Sequence, residues 1–111
     1  MVISKNTDLQ IRVIEQDDTV TILLMGDFAF SSHPNFTATY RRLLSNAAIS
    51  RIIVDFKNVK RMDSSALGML LTLLEHAQKL NKSLILCQPS QTAAAVFDIA
   101  NFHKIFTIQS E

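Results

Sequence analysis

A single cysteine, Cys87, is all the thiol the chain carries, so an internal disulfide framework is excluded. That fits a reducing compartment, or a fold that needs no bridges. Charge of one sign is also missing. Eleven Lys and Arg stand against ten Asp and Glu, for a net charge of +1, and the bases are scattered rather than gathered in a stripe. A nucleic-acid partner is therefore not expected. No apolar run reaches the length of a membrane span, and residues 1–8 lack the apolar core of a signal peptide. We expect a soluble, cytoplasmic protein without membrane insertion.

The signatures of enzyme chemistry are absent as well. There is no glycine-rich phosphate loop, no His-x-x-x-His or Cys-x-x-Cys metal spacing and no nucleophile elbow. His33, His76 and His103 fall far apart on different elements, which gives neither a metal site nor a triad. His76 is expected on the outer face of the central helix, and His103 at the end of the third. Cys87 sits inside a strand pattern and reads as a buried, inert thiol. Asp17-Asp18 falls in a hairpin turn rather than after a parallel first strand, which removes an acidic phosphoryl-acceptor pocket. Asp55 reads as a turn residue at the end of a strand. No catalytic residue, metal or cofactor is expected.

What is present is a core. Apolar residues make up 48% of the 111 residues, seven of them Phe, enough for one domain over 1–111 and too many for disorder. Leu9, Ile11 and Val13 alternate with polar neighbours as in a half-buried strand. Residues 16–18 form a turn, and 20–25 is nearly all apolar, as in a strand covered on both faces. The two make an antiparallel hairpin that Gly26 ends. Residues 27–33 form a loop leading to Pro34, which suits a first helical turn. Phe36, Tyr40, Leu43, Leu44 and Ala47 recur at helical spacing, with an end near 46–48. A third strand spans 51–56, a polar connection runs over 55–61 and a helix over 66–80. Asn81 and Lys82 turn the chain into a strand at 83–87. Pro89-Ser90 opens a third helix that buries Ala93, Val96, Phe97 and Ala100. Asn101 is its left-handed stop, and 105–108 forms the last strand.

The order is ββαβαβαβ: one mixed α/β sheet, an N-terminal antiparallel hairpin followed by parallel strands, packed by three to four helices. In such sheets, sites gather at the carboxyl ends of the strands. The connections at 27–33 and 55–65 both leave such ends and belong on one edge.

That edge carries the stretch Met62-Asp63-Ser64-Ser65-Ala66-Leu67-Gly68. Asp63 suits an N-cap, with its carboxylate on the first free N–H groups of the helix. Ser64 then falls in the first turn, near the positive end of the dipole. A phosphoryl group there would meet unpaired N–H donors and be repelled by Asp63. On the residues alone, a plain cap and first turn serves as well. The helix that follows is apolar almost all round, so Met69 with Leu73 is either an exposed docking patch or further core.

The stretch resembles the Asp-Ser-(Ser/Thr)-Gly-Leu-Gly signature of STAS domains, the bacterial anti-sigma factor antagonists. Residues 96–106 resemble the family's Leu-Phe-Asp-Ile-(Ser/Thr)-Gly-Leu landmark, and Gly26-Asp27-Phe28 its Gly-Glu-Leu-Asp loop. The resemblance spans nearly the whole chain and is closest to single-domain antagonists of gamma-proteobacterial partner-switching systems. It implies that a serine-kinase anti-sigma factor binds the unmodified protein and phosphorylates Ser64, with Ser65 the second candidate. Release follows, and a PP2C-type phosphatase restores binding. The expected partner face is Asp63, Ser64, Ser65, Ala66 and Met69 with Asp27, Phe28 and Ser31. Three departures stand out. Ala66 replaces a Gly, Ala29 stands where the loop has its Asp, and a closing helix found in many members is missing. The last leaves a sheet face for a partner or a homodimer. Ala29 favours the alternative of an unphosphorylated structural STAS subunit, such as one bound to a transporter ATPase.

Overall fold

Apolar alternation builds a five-stranded sheet in the order β1-β2-β3-β4-β5 in the computed structural model, which describes residues 8–110. The elements are β1 (Gln10–Gln16), β2 (Thr19–Phe28), α1 (His33–Leu44), β3 (Arg51–Met62), α2 (Ser64–Lys79), β4 (Ser83–Cys87), α3 (Gln91–Ile99) and β5 (Thr107–Gln109). Single 3-10 turns span Phe30–Ser32 and Phe102–Lys104. β1 pairs with β2 antiparallel and the other pairings are parallel, so the ββαβαβαβ reading and the mixed α/β sheet hold. Positions 1–7, on which the signal-peptide expectation rests, and Glu111 lie outside the described residues.

A sheet whose parallel strands follow in sequence order, joined by right-handed crossovers, carries its helices on one face. Burial agrees. Val20, Ile22, Leu24, Ile52, Val54, Leu84 and Leu86 are buried on that face, while Thr21, Leu23, Met25, Ile53 and Ile85 are only half-buried on the other. This corrects the expectation that β2 is covered on both faces.

Two strands run further than their polarity suggests. Gly26 does not end β2. It adopts φ 99°, a backbone region that favours glycine, at a register shift, and the strand bends there and continues to Phe28. β3 likewise continues through the expected connection to Met62. Two irregularities insert extra β3 residues against β2, which breaks the alternation that sequence reading relies on. Asp55 therefore lies within β3 rather than in a turn. It is buried at the first irregularity, and its Oδ1 accepts the Lys57 N–H at 2.8 Å. Smaller shifts occur elsewhere. α1 stops at Leu44, and the last strand begins at Thr107 because Phe106 turns into the core. Asn101 takes φ 57° as expected.

The core is strung on aromatic rings. Phe28 contacts Phe36 (centroids 4.9 Å) and Phe56 (6.3 Å). Phe36 leads on to Tyr40, and Phe56 to Phe97, Phe102 and Phe106. Tyr40 in turn meets His76 at 6.1 Å, so His76 faces α1 half-buried rather than standing on an outer face. His103 follows α3 and pairs with Asp98 at 2.9 Å. Cys87 is buried. Loss of solvent pushes its thiol above the ordinary range, and the Asp55 carboxylate pushes the same way.

Phe28 and Phe30 stand two residues apart and should respond oppositely to truncation. Phe28→Ala removes a ring from the middle of the chain of aromatics and should cost about 3–5 kcal/mol in denaturant unfolding. Phe30→Ala should stay within about 0.5 kcal/mol of wild type, because its ring is exposed.

Candidate functional site

The site forms where the long ends of β2 and β3 finish together. Phe28 is in register with Met62, and the Asp63 N–H reaches the Phe28 carbonyl at 3.3 Å. Asp63 has extended backbone and caps α2, its Oδ1 accepting the Ala66 N–H at 3.1 Å. Its other oxygen, Oδ2, accepts the Phe30 N–H at 3.1 Å, from a residue 33 positions earlier. One carboxylate thus joins the turn after β2 to the mouth of α2, and the two expected connections share one edge.

The turn itself is closed by Ser32. Its Oγ accepts the Ala29 N–H and donates to the Asp27 carbonyl, both at 3.1 Å. Ala29 therefore contributes backbone to this turn and no carboxylate.

Ser64 is the first residue of α2 and is exposed. The backbone N–H groups of the first turn precede the intrahelical ladder, so they can bind an anion. Ser64 is thus an accessible hydroxyl at the positive end of a 16-residue helix, beside a fixed carboxylate.

Among the expected partner-face residues, Asp63, Ser64 and Ser31 are exposed, and Ser65 and Asp27 are half-buried. Phe28, Ala66 and Met69 are buried rather than exposed. Phe28 and Ala66 are exposed by 0% and support the face from inside, while Met69, exposed by 5%, only floors the groove between α1 and α2. Leu73 is buried with Met69, which settles that pair as core. α2 packs on both the sheet and α1, and this consumes its wide apolar arc. Leu71 is the exposed apolar side chain of the helix instead.

Two residues of this edge were given no role of their own in the sequence reading, although Gly68 closes the signature stretch. Phe30 is 75% exposed on the turn that Asp63 holds. Its signal was a large ring in a polar loop with no periodic partner. Gly68, one turn below Ser64, is exposed and lines a groove of about 290 Å3 between α1 and α2, with His33, Thr37, Tyr40 and Ser65 among its walls. A glycine inside a helix costs about 1 kcal/mol relative to alanine. Among the described residues, no group of three or more His, Cys, Asp or Glu is placed to hold a metal ion, and no helix is long and apolar enough to cross a membrane.

A sequentially ordered mixed sheet with helices on one face, and a serine at the mouth of the helix that Asp63 caps, make a small α/β domain. The STAS domain model matches residues 10–111, and the chain belongs to the STAS domain family. A STAS-domain containing protein of Pseudomonas aeruginosa (strain UCBPP-PA14) is 37% identical over 89 residues, covering 80% of this chain and 86% of the relative. The anti-sigma factor antagonist SpoIIAA in its unphosphorylated form superposes with a TM-score of 0.69 at 24% identity, over 90% of this chain and 86% of that one. An anti-sigma factor antagonist from Mycobacterium paratuberculosis gives a TM-score of 0.86 at 13% identity, over 98% and 92%. At these identities the structures establish the shared fold.

The bridging carboxylate makes a direct test. Asp63→Ala should cost about 1–3 kcal/mol in denaturant unfolding, through a lost cap and a lost loop tether. The Phe30 and Ala66 amides should both exchange faster with solvent deuterium. Asp63→Asn offers one carbonyl oxygen in place of two and should fall between.

Proposed function

We propose that this STAS protein is an anti-sigma factor antagonist working by partner switching. Unmodified, it binds a serine-kinase anti-sigma factor, or a similar regulator. The kinase phosphorylates Ser64 and the complex separates. A PP2C-type phosphatase removes the phosphate and restores binding. The protein itself carries out no catalysis and works in the cytoplasm. The observation that carries this reading is the exposed Ser64 hydroxyl at the first position of α2, beside Asp63.

Magnitudes favour release. A phosphoserine adds about −1.5 to −2 charges at neutral pH. Buried in a contact next to Asp63, that charge loses water at a cost of several kcal/mol. Tenfold in affinity needs only about 1.4 kcal/mol. The helix dipole returns about 1 kcal/mol, and does so whether the protein is bound or free. Repulsion at the contact therefore wins. A Bacillus SpoIIAA in its phosphorylated form has the same fold, with a TM-score of 0.69, so the fold accommodates a phosphorylated state in that protein.

The competing reading is a structural STAS subunit whose serine is never modified, for example one bound to a transporter ATPase. The absence of a carboxylate at Ala29 favours it. Incubation with the cognate kinase and ATP separates the two. We expect one phosphate on wild type, placed on Ser64 by mass spectrometry, and none on Ser64→Ala. Ser64→Asp should bind the kinase at least about tenfold more weakly, and Ser64→Ala should remain bound in the presence of ATP. Wild-type protein left unmodified by the kinase would favour the structural subunit.

A further inference from the structure

The other six phenylalanines are exposed by 5% or less, whereas Phe30 is exposed by 75%. Its ring is not on a loose loop. The Phe30 N–H is held by Asp63, and Ser32 closes the turn from inside. The backbone that carries the ring is held in place, so a contact made by the ring need order only its side chain. Beside it, Ser64, Gly68 and Leu71 follow one another down a single stripe of α2. Leu71 is 38% exposed. A Cβ built at Gly68 would meet nothing within 4 Å, so nothing packed around it requires the glycine, although it weakens the helix.

We propose that Phe30 and Gly68 are the two specificity contacts for the protein that reads Ser64. The Phe30 ring enters an apolar pocket of that partner. Partner backbone, or a small side chain, lies flat on α2 at Gly68, where a methyl group would hold it away. The inference rests on the Ser64 reading above and says how that partner is recognised. The occupant is a folded protein rather than a small anion. The stripe from Ser64 to Leu71 covers about 10 Å of helix, and Phe30 adds a ring from a different element. Aromatic anchors of this kind carry much of the energy of a protein interface.

Two measurements test it. In thermal unfolding of the protein alone, Gly68→Ala should raise Tm by roughly 4 °C. A Tm at or below wild type would mean that the fold itself needs the glycine, and would overturn the proposal. The purified serine-kinase anti-sigma factor of the same cell is then titrated calorimetrically, without ATP, into five forms: wild type, Gly68→Ala, Phe30→Ala, Ser64→Asp and Ile99→Ala. Ile99 is an apolar control on α3, exposed by 84%. Gly68→Ala and Phe30→Ala should each weaken binding at least about tenfold, with Ile99→Ala within about twofold. Unchanged binding by Gly68→Ala and Phe30→Ala while Ser64→Asp loses it would overturn these two contacts and leave the Ser64 reading standing. Wild-type binding by Ser64→Asp would bring down that reading and this inference together. Wild-type dimers in sedimentation that dissociate in Phe30→Ala would assign the ring to a second copy of the chain and overturn the proposed partner.

Discussion

Two backbone N–H groups, from Phe30 and Ala66, converge on the carboxylate of Asp63, and the edge of the molecule depends on that convergence. Without it, the turn after β2 and the first turn of α2 are separate pieces of surface. With it they form one body, and Ser64 is the next residue along. A dianion on Ser64 would compete with Asp63 for the same donors and repel the same oxygens. A change in charge at Ser64 would therefore be felt at the clamp without any long path through the core.

Behind this clamp the aromatic chain supplies stiffness. Phe28 lies two residues before Phe30 and links α1, through Phe36, to β3, through Phe56. The end of β2 is thus pinned from inside by ring packing while its next turn is pinned from outside by Asp63. Close-packed interiors have low compressibility, so the helix-bearing side of the sheet serves as a fixed base for the edge. The other sheet face is apolar and half-buried at Leu23, Met25, Ile53 and Ile85.

Much of this was legible in the sequence. Ser83 and the apolar run at 84–87 lie between a turn at Asn81 and the Pro89-Ser90 helix start, and β4 has the limits expected from them. Asp63 declared itself as a cap by type and position, as did Asn101 as a left-handed stop. What was lost was lost for physical reasons. The far half of β3 is rich in Lys, Asn and Arg because it pairs on one side only, and its irregularities interrupt the period of two that marks a strand. Met69 and Leu73 look surplus to one sheet contact because periodicity does not reveal that α2 packs against α1 as well. Phe30 could not be placed because exposure in a loop leaves no period at all. The signature around Ser64 was plain, but which of its neighbours face outward is a property of packing, and Phe28, Ala66 and Met69 faced inward.

β4 pairs with β3 only as far as Asp55, whereas β2 stays with β3 to Met62. The turn and the helix mouth are therefore mounted at the end of the twice-bulged β2–β3 pair, past the end of β4 and flanked by β1 to Gln10 and by the Asp8–Asp27 bridge. Ribbons of two strands hold together weakly unless something else secures them. Here β1 and the Asp63 carboxylate supply that security, the latter tying the turn after β2 to the first turn of α2. The exposed Ser64 hydroxyl is thus mounted beyond the end of β4, on the β2–β3 pair and its clamp rather than on the full width of the sheet.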